Sequence, residues 1–258
     1  MLDRQKRLRP ESIRYFTIRG GQGHRLESLS DGVFALAIAI LLISSSVPKN
    51  FNDLLQFVYD ALPLFICMIF IYSIWHQQTV FFLRYGLYDK RTIQLNLILL
   101  FLTLFYAYPL KFLMTWLLQF MYFFGGWLLG FKGFGQKIGE MSQMIKFNDM
   151  PLLMIIYGLG FLGIFFIFYL LYSHAFKQKE ALELNEVEKT LTRFSIIQVK
   201  VVMLVATVSV VIAFIGFLMG APFSGFFAGL AYNLLWIISI PLSKKHEKQL
   251  QTLLTREM

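Results

Sequence analysis

One cysteine, Cys67, stands in 258 residues, so no intrachain disulfide can form, and a lone buried thiol packs as a small apolar group. The four histidines, His24, His76, His174 and His246, lie far apart with no metal-ligand spacing among them. No Ser-His-Asp arrangement and no paired carboxylates are visible either. The sequence therefore gives no reason to expect an enzyme, a resident cofactor or a tightly bound metal. The first 28 residues are polar and basic, with no short apolar run before a small-residue cleavage site, which argues against a cleavable signal peptide. Charged residues make up only 15% of the chain. No glycine or proline interruption recurs at mid-span in corresponding halves, the mark of many inverted-repeat transporters. A small secondary transporter, or a polytopic membrane protein without a pore, nevertheless stays as the alternative functional class.

What the chain has in quantity is apolar surface: 57% hydrophobic and 17% aromatic residues. These gather into runs long enough to cross lipid rather than spreading at helical or strand spacing. The fold class is all-α, a polytopic membrane protein with six transmembrane helices. The spans are expected at 27–48, 57–84, from Thr92 with an apolar stretch Leu95 to Leu110, 149–175, 192–218 and 223–243. Residues 1–26 form a basic cytoplasmic tail, 27–243 the membrane domain and 244–258 a second basic tail. Gly220-Ala221-Pro222 makes a tight turn that sets the last two spans antiparallel. The alternation of Glu with Lys and Arg over 177–193 reads as a solvated helical extension.

The stretch Phe112 to Phe131 is apolar enough to be a seventh span. Lysine and arginine placement argues against it, because cytoplasmic segments carry the excess of these residues. With six spans the inner side holds seven before the first span (Arg4, Lys6, Arg7, Arg9, Arg14, Arg19, Arg25) and three after the second (Arg84, Lys90, Arg91). It also holds four after the fourth (Lys177, Lys179, Lys189, Arg193) and four at the end (Lys244, Lys245, Lys248, Arg256). The outer side receives five, Lys49, Lys111, Lys132, Lys137 and Lys146, while Lys200 falls within the fifth span. Both termini are thus expected in the cytoplasm. Residues 112–131 then continue the third helix or form an interfacial hairpin. The net charge of +9 suits a face opposite anionic headgroups and requires no nucleic acid. Tyr15 and Phe16 among the basic residues suggest a tail lying on the membrane surface.

Function must come from the few polar groups that lipid would penalise. Asp31 opens the first apolar run, preceded by Arg25 and Ser30. Two readings stand: Ser30 and Asp31 cap the helix start, or Asp31 packs against polar groups of neighbouring helices and fixes this helix in place. Arg25 either pairs across helices or snorkels into the headgroups. Leu29, Gly32, Leu36, Ala39, Ile43 and Ser46 follow three-and-four spacing along one stripe. Its small residues suit close helix packing. In a symmetric oligomer the same stripe lines an axis, where apolar rings control ions by size and dewetting.

Arg25, three variable residues, then Leu29-Ser30-Asp31 before an apolar helix resembles the signature of the transmembrane protein 175 family of potassium channels, with Leu29 in place of the usual Phe. Trp75 resembles the family's Trp in the second helix, although Gln78 stands where that family has His, and His76 falls one position after the Trp. Gln78 still donates and accepts hydrogen bonds. His76 either titrates or serves as an interhelical hydrogen bonder. Asn96, a Leu-rich run and Pro109 resemble the third helix, so the likeness is best from Arg25 to Pro109.

The resemblance implies a potassium channel in which the first helix lines a central pore. It places the constriction at Leu36, a selectivity position at Ala39, where many members carry Thr, and a further apolar ring at Ile43. It also implies that Arg25, Ser30, Asp31, Trp75, His76, Gln78 and Asn96 form the signature and structural polar network. With no side-chain oxygen at Ala39, potassium preference should be weak. A single copy of the signature implies a homotetramer of the prokaryotic type in the plasma membrane, with potassium ions as the permeant species. Gly133-Phe134-Gly135 echoes a potassium-filter loop, but no Thr-Val precedes it and Lys132 and Lys137 flank it, so it carries no filter here.

Overall fold

The computed structural model describes residues 11–20, 25–43, 49–128, 146–221 and 223–257. Among these the regular structure is helical: α1 (Glu11–Arg14), α2 (Arg25–Ile43), α3 (Phe51–Tyr59), α4 (Ala61–Tyr85), α5 (Lys90–Leu128), α6 (Met150–Lys177), α7 (Glu186–Leu218), α8 (Ser224–Ala231) and α9 (Leu234–Glu257), with one 3-10 turn at Phe147–Asp149. The outer surface carries large apolar side chains such as Phe101, Phe105, Leu204 and Phe214, half or more exposed, as lipid contact requires. The chain is a multi-pass membrane protein.

Among the described residues, four helical stretches are long and apolar enough to cross a membrane: Arg25–Ile43, Phe51–Tyr85, Met150–Lys177 and Glu186–Leu218. A fifth is counted if the bent pair Lys90–Ala107 and Pro109–Leu118 is one span. The bend is 48° and has a plain cause. Proline lacks the amide hydrogen and its ring crowds the preceding turn, so Pro109 kinks α5 without ending it. The hydroxyl of Tyr157 on α6 donates to the Pro109 carbonyl at this kink. Residues 112–128 therefore continue the third helix, while 129–131 lie outside the described residues.

Two expectations about elements change. The sixth span, 223–243, is not one helix: it divides at Tyr232 and Asn233 into α8 and α9, and α9 runs on to Glu257 through Pro241 and the charged C-terminal segment. The charged stretch 177–193 is not a continuous solvated helix either. Residues 178–185 form a turn between α6 and α7, and Glu188 is fully buried. Asn185 starts α7 through a reciprocal capping box, accepting from the Glu188 amide at 2.8 Å while its own amide donates to the Glu188 carboxylate at 3.1 Å. That spacing is the sequence signal for the break.

α6 and α7 form an antiparallel hairpin, in which Arg193 lies over the Phe176 ring and Lys200 over Tyr169 about two turns away. α2 packs on α4 and α5, α5 meets α6, and α8 sits against α6 and α7. One apolar cluster runs through these contacts, with Phe34, Leu41, Ile71, Phe81, Leu99, Ile164, Phe168 and Leu171 at its centre and Cys67 among them. Apolar contact in lipid drives little association, so close approach matters more. Gly158 lies where a methyl group would meet Val210 at 2.5 Å, and Gly225 where one would meet the Met150 side chain at 2.9 Å. The Pro222 end of the expected tight turn, the 133–135 glycines, His24 and residues 44–48 of the first expected span all lie outside the described residues.

Candidate functional site

α2 begins at Arg25, so Ser30 and Asp31 fall in its second turn rather than at its cap. Their hydroxyl and carboxylate serve other helices instead. Ser30 is fully buried; its hydroxyl donates to the Leu26 carbonyl at 2.8 Å and accepts from Asn96 Nδ2 at 3.0 Å. Asn96 Oδ1 in turn accepts from Gln78 Nε2 at 2.6 Å. Three helices, α2, α4 and α5, are thus joined by one buried chain of hydrogen bonds, each polar atom of which would be costly to bury alone. Asp31 Oδ1 accepts from the indole Nε1 of Trp75 at 2.7 Å, a second tie between α2 and α4.

Arg25 and His76 behave differently. Arg25 opens α2 and is exposed. His76 is also exposed and stacks on Tyr72, one turn earlier in its own helix, with ring centroids 6.0 Å apart. It lies away from the Ser30, Asn96 and Gln78 chain.

These ties orient α2. Ser30, Phe34, Ala37 and Leu41 face inward, each buried. Leu29, Gly32, Ala35, Leu36, Ala39, Leu42 and Ile43 are exposed on the opposite side, Leu36 at 52% and Ile43 at 77%. Nothing approaches the position of a side chain at Gly32. Ala39 presents a methyl group to this surface and no oxygen. The exposed side is an unbroken apolar stripe with small residues between large ones, and the buried polar chain behind it fixes which way it points.

Comparison with known proteins fits this arrangement. A family model described as endosomal/lysosomal potassium channel TMEM175 matches residues 25–107, which hold α2, α3, α4 and the α5 turns carrying Asn96. A protein of Marivirga tractuosa named potassium channel is 39% identical over 244 residues, covering 92% of this chain and 94% of its own. The chain belongs to the TMEM175 family. A crystal structure of a threonine-to-alanine variant of the potassium channel MtTMEM175, bound to a nanobody–MBP fusion protein, is 40% identical and superposes with a TM-score of 0.76 over 91% of this chain and 97% of that one. The TMEM175 family is one of ion channels rather than enzymes, and the resemblance read at Arg25 to Pro109 coincides with the stretch its model matches.

A second polar cluster, not expected from the sequence, joins residues before and after that stretch to Arg84 and Tyr85 within it. Arg19 pairs in bidentate fashion with the buried Glu188, its Nη1 and Nη2 lying 3.0 and 2.9 Å from the two carboxylate oxygens. Its Nε donates to the Leu182 carbonyl at 3.0 Å. Arg84, also buried, donates to Ser195 Oγ at 3.0 Å and lies 4.6 Å over the Phe16 ring. The Tyr85 and Thr192 hydroxyls share a hydrogen bond of 2.8 Å. The N-terminal tail is accordingly not a surface element at this point: Ile13 and Phe16 are buried against the helices, and Phe16 meets Tyr85 edge to face.

Proposed function

We propose that the chain is a potassium-preferring, weakly selective cation channel, with the exposed stripe of α2 from each subunit lining a shared axial path. The observation that carries this reading is the two-sidedness of α2: buried hydrogen bonds hold its inner face while an apolar stripe, Leu29 to Ile43, is left uncovered in the single chain. One such helix cannot enclose an axial path, so a closed cyclic oligomer is required, and a homotetramer fits a chain with one copy of the signature. Leu36 and Ile43, seven residues apart, would form apolar rings separated by about 10 Å. Such rings obstruct ions by requiring them to shed water, and potassium sheds it more readily than sodium. Ala39 between them supplies no oxygen to replace that water, which leaves the preference for potassium weak.

Arg25, Ser30, Asp31, Trp75, Gln78 and Asn96 act as the frame behind the path, with His76 on the neighbouring exposed face of α4. The distribution of lysine and arginine supports both termini facing the cytoplasm of a prokaryotic plasma membrane, with the basic side against anionic headgroups. Potassium is the permeant ion, with no bound cofactor. The test is flux through the purified protein in liposomes. Shortening the side chain in Leu36→Ala widens the narrowest ring and lets water wet it, so potassium flux should rise. Unchanged flux from a folded oligomer would remove Leu36 from the path.

A further inference from the structure

The segment Ile13–Gly20 crosses the end of α4, and its contacts are too specific for a passing tail. The amides of Arg19 and Gly20 both donate to the Leu83 carbonyl, at 3.0 and 3.4 Å, and the Thr17 amide donates to Glu188 Oε1 at 2.7 Å. Arg19 fills its donors with the Glu188 carboxylate and the carbonyls of Thr17, Leu182, Glu183 and Arg84. The crossing is tight enough to demand glycine on both strands. A side chain on Gly20 would collide with the Phe82 carbonyl, and one on Gly86, held at φ 54°, would meet the Arg19 carbonyl at 2.5 Å.

Gly20 lies beside the Tyr88 hydroxyl, which donates to Glu27 in the first turn of α2. Tyr88 is itself held by stacking on Phe82, with centroids 5.7 Å apart. Gly20 and Arg25 are five positions apart, a reach of roughly 17 Å at full extension. Tyr88 therefore holds the start of α2 at Glu27 next to the place where Gly20 crosses α4, and the preceding residue, Arg19, pairs with Glu188 of α7.

We propose that the Arg19–Glu188 pair is a positioning device that clamps segment 13–20 to α7 and thereby sets where the N-terminal end of α2 stands. The proposal rests on the reading of α2 as the lining of the ion path. Arginine suits the role because its planar fork matches a carboxylate in two places while its remaining donors reach carbonyls, whereas lysine offers a single point charge. Glu188 is suited because it lies in the first turn of α7: the same carboxylate caps the helix through Asn185 and receives Arg19, so the clamp is anchored to a rigid element. Releasing it should loosen the first turns of α2, and with them the spacing of the apolar rings, without unfolding the bundle.

The experiment compares wild type with Arg19→Ala, Arg19→Lys and Glu188→Gln, all as full-length protein in lipid nanodiscs and liposomes. Hydrogen–deuterium exchange is followed separately in 13–20, in 25–32 and in the first turns of α7, beside thermal stability, oligomeric state and potassium flux. The expected result for Arg19→Ala is faster exchange in 25–32 by on the order of tenfold, the scale of one lost charged hydrogen-bonded contact, with changed flux and an intact oligomer. Arg19→Lys, which keeps a charge but not the fork, should fall between the two. Should Arg19→Ala fail to fold, Glu188→Gln, which keeps the shape of the capping side chain, carries the same comparison. Release of 13–20 with exchange in 25–32 and flux both as in wild type would overturn the positioning role. Wild type without any potassium flux would instead sink the channel reading, and the exchange in 25–32 would still judge the clamp.

Discussion

At the residue scale, Asn96 is the joint on which α2, α4 and α5 meet, donating to Ser30 and accepting from Gln78. Asn96→Ala removes both bonds and leaves the Gln78 amide buried without this acceptor, at a cost of about 1–3 kcal/mol. In a membrane protein the pairwise part is smaller: a double-mutant cycle between Ser30→Ala and Asn96→Ala should return a coupling of about 0.6 kcal/mol, rising to roughly 1.7 at most. Reversible unfolding in mixed micelles measures both, and additive single mutants would show that the Ser30 to Asn96 bond adds nothing beyond packing. Ser30 and Asp31 are legible in the sequence because polar residues stand out at the start of an apolar run, whereas Trp75, Gln78 and Asn96 are picked out by the resemblance to the family's second and third helices. Their pairing is not legible, since which helix faces which depends on the rotation of α4 and α5. His76 illustrates the limit: one position from Trp75, it points to the outer surface of α4 and stacks on Tyr72.

At the scale of elements, the ends of helices hold what periodicity could not supply. The hairpin of α6 and α7 is tied to the start of α5 by Asp89, which accepts from the Thr92 hydroxyl at 2.6 Å and pairs with His174 Nε2 at 3.0 Å. Partial burial pushes the Asp89 carboxyl up, but the Thr92 hydroxyl, His174 and the Arg91 amide together outweigh it and hold the group below its ordinary value. A carboxyl depressed in the folded state adds stability above its unfolded pKa and loses it as the pH falls through the folded one. Thermal stability should therefore drop below about pH 4, the ordinary carboxylate range, and Asp89→Asn should remove this part of the drop. An identical acid profile in Asp89→Asn would show that the contact contributes nothing to it. The alternating charges of 177–193 looked solvated because charge runs usually are, yet Glu188 lies at no exposure. Asn185-x-x-Glu188 is a capping signal that marks the break, and Arg19, far away in sequence, together with the Thr17 and Asn185 amides makes burial of that carboxylate tolerable.

At the scale of the molecule, the apolar runs foretold an all-helical membrane protein, and four of the expected spans appear as single stretches, with Pro109 bending another. The last expected span divides because apolar content alone does not specify continuity: Tyr232 and Asn233 turn between α8 and α9 although the run continues on both sides. The stripe of α2 was readable from spacing, while its exposure depends on where the buried chain through Asn96 holds the helix. The central claim is that this stripe lines a path for potassium with no oxygen at residue 39. It is tested most directly by the reversal potential of the protein in liposomes under a potassium/sodium gradient, for wild type and Ala39→Thr. Wild type should show a weak preference for potassium, and Ala39→Thr, which adds one hydroxyl per subunit at a single level, should strengthen it. A strictly selective wild type, or a Thr variant with an unmoved potential, would contradict the account.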